Sequence, residues 1–111
     1  MNWKVLNNPA QIEEIISESE STPVMIFKHS TRCSISSMAL DRFKRNWKDE
    51  DAKKVTPYYL DLIANRDISN AIASQFAIQH ESPQVILIKS GKAFFDQSHM
   101  GISYSAIMEK V

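Results

Sequence analysis

The chain of 111 residues contains one cysteine and two glycines, and its 13 basic residues are balanced by 13 acidic ones. Each shortage excludes something. A lone thiol closes no internal disulfide, so the fold must be held by its core, as expected in a reducing compartment. Zero formal net charge gives no general attraction for polyanions, so nucleic acid is not an expected partner. No apolar run approaches the ~18 residues needed to span a bilayer, and Met1-Asn2-Trp3-Lys4 lacks the opening of a secretory leader. The expected location is the cytoplasm, without a membrane partner. One cysteine and three scattered histidines show no zinc-ligand spacing, and no metal site is expected. A hydrophobic fraction of 43% and a charged fraction of 23% suit an ordinary globular protein of one domain, expected to span residues 1–111.

What is present is organised around Pro23 to Trp47. Val24, Met25, Ile26 and Phe27 form a short unbroken apolar run after a proline, which suits a strand buried on both faces of a sheet. A polar stretch His29-Ser30-Thr31-Arg32-Cys33-Ser34 follows as a tight loop. The period then changes: Ile35, Met38, Ala39, Phe43 and Trp47 recur at helical spacing, with Asp41, Arg42, Lys44 and Lys48 opposite. The pattern is strand, loop, helix, with the only cysteine where the helix begins. There the first-turn amides lack intrahelical partners and the peptide dipoles place partial positive charge. Both favour a thiolate, the reactive form of cysteine. Arg32 adds a cation next door, and Ser30, Thr31, Ser34 and Ser36 offer hydroxyls to the helix start or the sulfur. The competing reading, a buried structural cysteine, fits poorly with flanks that are polar except for Ile35.

The remaining elements follow in order. Trp3–Leu6 suits a first edge strand. Asn8, Pro9 and Gln11 have the spacing of an N-cap, N1 and capping-box glutamine ahead of Ile12, Ile15 and Ile16. Lys48–Lys54 reads as a solvated turn and Val55–Leu62 as a strand. Asn65 or Asp67 can cap a helix bearing Ile68, Ala71, Ile72 and Phe76. Val85–Ile88 and Lys92–Asp96, joined through Ser90-Gly91, read as a hairpin. Ser103 can cap a last helix with Ile107 and Met108. The order β-α-β-α-β-α-β-β-α predicts an α/β fold with a mixed sheet between helices.

With Phe76-Ala77-Ile78, Ser82-Pro83-Gln84-Val85-Ile86-Leu87-Ile88 and Gly101 in their places, this layout resembles the thioredoxin fold: a central mixed sheet of four or five strands flanked by about four helices. Within that superfamily the stretch Phe27-Lys28-His29-Ser30-Thr31-Arg32-Cys33-Ser34-Ile35-Ser36 resembles the monothiol bacilliredoxins. Their pattern usually has proline directly after the cysteine, where this chain has Ser34. The resemblance implies that Cys33 is the attacking cysteine, that Ser36 occupies the position of a resolving cysteine, and that Pro83 is a cis-proline beside the active site. It also places Ser30, Thr31, Arg32, Ser34, Ser36, Ser82, Pro83 and Gln84 around the substrate.

A serine at position 36 decides the kind of reaction expected. A hydroxyl cannot perform thiol–disulfide exchange, so a mixed disulfide on Cys33 must wait for an outside thiol. The expected substrates are protein thiols capped by a small thiol. The resemblance identifies that small thiol as bacillithiol, acting as co-substrate with no bound cofactor, and a low-molecular-weight thiol or dithiol protein as reductant. Arg32 could attract an anionic cap, since bacillithiol carries a malate group, or be a solubilising charge. His29 could be a base or orient the loop, His80 could touch substrate, and His99 reads as a connector residue. The alternatives are a non-catalytic thioredoxin-fold binding module, a redox sensor, and an iron–sulfur carrier like the monothiol glutaredoxins.

Overall fold

The computed structural model describes residues 1–111, and one five-stranded sheet runs through it. The strands are β1 (Lys4–Val5), β2 (Val24–His29), β3 (Thr56–Asp61), β4 (Gln84–Lys89) and β5 (Lys92–Ser98), in the order β1-β3-β2-β4-β5. β1, β3 and β2 are parallel, whereas β4 pairs antiparallel with both β2 and β5. The helices are α1 (Gln11–Glu18), α2 (Ser34–Asn46), α3 (Arg66–Phe76) and α4 (Tyr104–Lys110). The mixed sheet and the four helices match the predicted thioredoxin-like α/β fold.

β2 lies at the centre because all six of its residues are buried. Successive side chains of a strand point to opposite faces. Val24 and Ile26 join Ile12 and Ile15 of α1 and Ile68, Ile72 and Phe76 of α3 in one core. Met25 and Phe27 join Ala39, Leu40 and Phe43 of α2 and Ile107 of α4 in the other. The two cores together explain why the sequence of β2 shows no polar alternation. The predicted strand, which ran to Lys28, nevertheless stopped one residue too early. His29 continues it, and Lys28 and His29 are buried at 0% and 6% exposure, because helices on both faces cover residues whose polarity reads locally as exposed.

Local chemistry explains the element ends. Gln11 Oε1 accepts from the Asn7 and Asn8 amides at 2.8 and 2.9 Å, and Asn8 Oδ1 accepts from Ala10 N at 3.0 Å. The expected capping interactions therefore form, across a tight first turn before α1 proper. Ser103 Oγ accepts from Ala106 N and caps α4. Asn65 precedes α3, but its side chain donates back to the Asp61 carbonyl instead of capping. Ser90 and Gly91 both have positive φ, 52° and 74°, the conformation of the two-residue turn that suits hairpin twist.

The Lys48–Lys54 segment differs from its prediction as a solvated turn. Asp49–Lys53 forms a 3-10 helix, and Asp51 is 3% exposed. Its carboxylate accepts from the Lys48 amide at 2.9 Å and from the Tyr104 hydroxyl, tying this segment to α4. Truncating it leaves two donors unsatisfied, so Asp51→Ala should cost about 1–3 kcal/mol of stability. The neighbouring exposed Asp49→Ala should change it by less than ~0.5 kcal/mol. Urea unfolding of both variants checks this, and equal effects would contradict the assignment.

Candidate active site

The C-terminal end of β2 delivers the chain directly to the cysteine. After His29, the Ser30 carbonyl accepts from the Cys33 amide at 3.2 Å, closing a turn. Cys33 has extended geometry (φ −114°, ψ 120°) and is the residue before α2. Its carbonyl accepts the first helical hydrogen bond, from Ser37 N at 3.1 Å. The amides of Ser34, Ile35 and Ser36 make no hydrogen bond within the chain. Three unsatisfied donors and the helix dipole thus face the cysteine end of α2, where they favour negative charge. The free thiol of Cys33 is partly exposed, and Thr31, Arg32 and Ser34 around it are exposed.

Ser36 lies elsewhere than its predicted place against substrate. It is wholly buried, and its Oγ lies 3.0 Å from the Ser30 amide and 2.7 Å from His29 Nδ1. The assignment that uses every donor has Ser30 N–H donating to Oγ and the hydroxyl donating to a neutral His29. Burial lowers the pKa of His29, against the raising effect of Asp61 and Asp41, which agrees with the neutral ring. His29 therefore orients the loop rather than standing free as a base. The buried stripe of α2 is Ser36, Ala39, Leu40 and Phe43, while Ile35 and Met38 are 44% and 60% exposed. The predicted apolar stripe was thus rotated by about one residue, and spacing with Leu40 was the signal that Ser36 faces inward.

The second side of the site is the turn before β4. The Ser82–Pro83 peptide is cis, as the resemblance implied. Ser82 Oγ is buried without a hydrogen-bond partner in the chain. Gln84, expected near substrate, is instead wholly buried: its amide donates to the Gln79 carbonyl and accepts from the Glu81 amide. It holds the turn together from inside. His99, at φ 55°, places Nε2 3.2 Å from Glu81 Oε2 and so braces the same turn. His80 is exposed, and its Nδ1 lies 3.3 Å from Lys28 Nζ and 3.2 Å from Ser69 Oγ. Lys28 was not singled out by sequence, since a lysine beside a polar loop reads as exposed.

A match to the monothiol bacilliredoxin BrxC family covers residues 4–107. The chain belongs to that family. A candidate oxidoreductase with a thioredoxin fold shares 30% sequence identity, with a TM-score of 0.78 over 95% of this chain and 89% of that one. Thioredoxin of Malassezia sympodialis aligns at 16% identity and TM-score 0.76, covering 98% and 87% of the two chains. Thioredoxin of Fasciola hepatica aligns at 17% and 0.71, covering 96% and 94%. These two thioredoxins establish the shared fold only. Family and fold are those of thiol-redox proteins, and the single thiol of this bacilliredoxin makes it monothiol.

Two outcomes follow from the site's geometry. Ser36→Ala strands the Ser30 amide and His29 Nδ1, so it should cost about 1–3 kcal/mol and speed hydrogen exchange at the Ser30 amide. Unchanged exchange there would contradict the anchoring role. Burial also lowers the pKa of Lys28 from 10.5 to about 8. The unfolded chain then binds one more proton than the folded chain between those values, so stability rises with pH across that window, by at most about 3 kcal/mol. In urea titrations between pH 8 and 10, Lys28→Met should lose that slope.

Proposed function

We propose that this protein is a cytoplasmic monothiol oxidoreductase that removes a small-thiol cap from protein cysteines. The observation that carries the reading is the pairing of Cys33 and Ser36. The thiol stands partly open at the start of α2, and the residue a turn further on has its hydroxyl committed inside the fold. No second thiol exists in the chain to resolve a disulfide.

The reaction balances in two exchanges. The Cys33 thiolate attacks the cap's sulfur in a protein–S–S–cap disulfide. A new Cys33–S–S–cap bond forms, the old bond breaks, and the electron pair leaves on the protein thiolate. An external small thiolate, or one thiolate of a dithiol partner, then attacks that mixed disulfide and releases Cys33. The charge that Cys33 carries as nucleophile in the first step and regains as leaving group in the second lies at the unsatisfied amides of α2. Bacillithiol is the cap and co-substrate that the family favours. Exposed Ile35 and Met38, on the same helix as the nucleophile, provide apolar surface suited to a protein substrate. Arg32, exposed beside Cys33, is a cation suited to an anionic cap.

The test is incubation of the reduced protein with a protein whose one thiol is capped by bacillithiol. Wild type should release that thiol and gain the mass of one cap on Cys33. Cys33→Ser should do neither, while keeping its fold. Thiol release that persists in Cys33→Ser would sink the proposal. Binding of the capped protein by wild type without transfer would favour the binding or sensing alternative.

A further inference from the structure

Lys28 is wholly buried, and it lies on the face of the sheet away from α2. Its ammonium donates to the Ser69 carbonyl at 3.2 Å and to His80 Nδ1 at 3.3 Å. Neither partner carries negative charge. The chain's ion pairs are Lys4–Glu18 and His99–Glu81, so no carboxylate lies within 4.0 Å of Lys28. Burying a cation without a counter-charge is costly, and such charges are normally paired. Arg66, at the start of α3, likewise forms no ion pair and is exposed.

These cations converge on one recess. Leu62, Arg66, Ser69, Asn70 and His80 line an open recess of about 90 Å³ at the end of α3 nearest the cysteine loop. Lys28 lies behind it, bonded to two of its walls. An ammonium has donors only, so His80 Nδ1 must accept and Nε2 must carry the ring hydrogen. That N–H, the Arg66 guanidinium and the Asn70 amide are the donors available to an occupant. We propose that this recess is an anion site and that its ligand is a carboxylate borne by the small-thiol cap. The anion chemistry stands on the cluster alone, whereas the carrier rests on the proposed function.

The position fits that carrier. Lys28 precedes Cys33 by five residues, so their Cα atoms are at most about 18 Å apart. His80 lies three residues before the cis-proline, which precedes β4 at the end of the sheet where β2 finishes. A cap could therefore present its sulfur to Cys33 and its carboxylate to the recess.

The first arm of the test follows thermal unfolding and the NMR signals of the His80 ring and the Ser69 amide. Succinate, phosphate and chloride are compared at equal ionic strength. Succinate should raise the unfolding midpoint and shift both signals, Arg66→Gln should lose most of the response, and Lys28→Met should lose it while folding at least as stably as wild type. No response in wild type, or an undiminished one in Arg66→Gln, overturns the site. Phosphate acting as well as succinate overturns the carboxylate assignment. The second arm compares transfer from a cap with free carboxylates and from its methyl ester. Wild type should prefer the free acid by about tenfold, the worth of one charged hydrogen bond, and Arg66→Gln should lose that preference. Equal rates in wild type remove the cap as carrier. Succinate binding without transfer from either cap leaves the anion site intact and defeats the transfer reading instead.

Discussion

The Ser36 hydroxyl joins three parts of the chain that meet at the site: the end of β2 through His29, the loop through the Ser30 amide, and the first turn of α2 through its own backbone. Its bonds are short and fully buried, in surroundings where an unmet donor is expensive. Because the loop is fixed at Ser30, the turn that follows has little choice but to place Cys33 at the helix start. A residue at the position of a second redox thiol has thus become a structural tie. The same residue that leaves no second thiol here also fixes the loop that sets Cys33 at the start of α2.

β2 is the scaffold on which the site is divided. Adjacent strand residues leave on opposite faces, so His29 goes to the α2 side and Lys28 to the α3 side. One serves the cysteine loop, and the other brings a buried positive charge toward His80 and Ser69. Gln84 is the strand partner of Lys28 on β4 and secures the cis-proline turn from within. Strand register therefore brings the cysteine loop, the proline turn and the basic recess to one end of the sheet.

Elements determined by near neighbours were legible in the sequence. The unbroken apolar run of β2, the Ser90-Gly91 hairpin turn, the Asn8–Gln11 box and the cysteine at the start of α2 all depend on residues within a few positions. The features that escaped depend on distant partners. Lys28 meets Ser69 and His80, 41 and 52 positions away, and Asp51 meets Tyr104, 53 away. Charged residues in polar stretches give no local sign of such burial. Ser36 and Gln84 are different: a family pattern indicates nearness to the reacting sulfur, but not which way a side chain points. Helix phase and strand parity decide that, and both turn these residues inward.

The Cys33 sulfur is partly exposed at the start of α2, beside three amides without partners. Iodoacetamide alkylation, followed by intact mass, measures this directly when the folded chain is compared with the same chain in guanidinium at equal pH. Complete, single labelling of Cys33 that is faster in the folded chain is the predicted result. Labelling that is slower in the folded chain, or that waits for unfolding, would contradict the claim that the start of α2 makes this thiol a nucleophile.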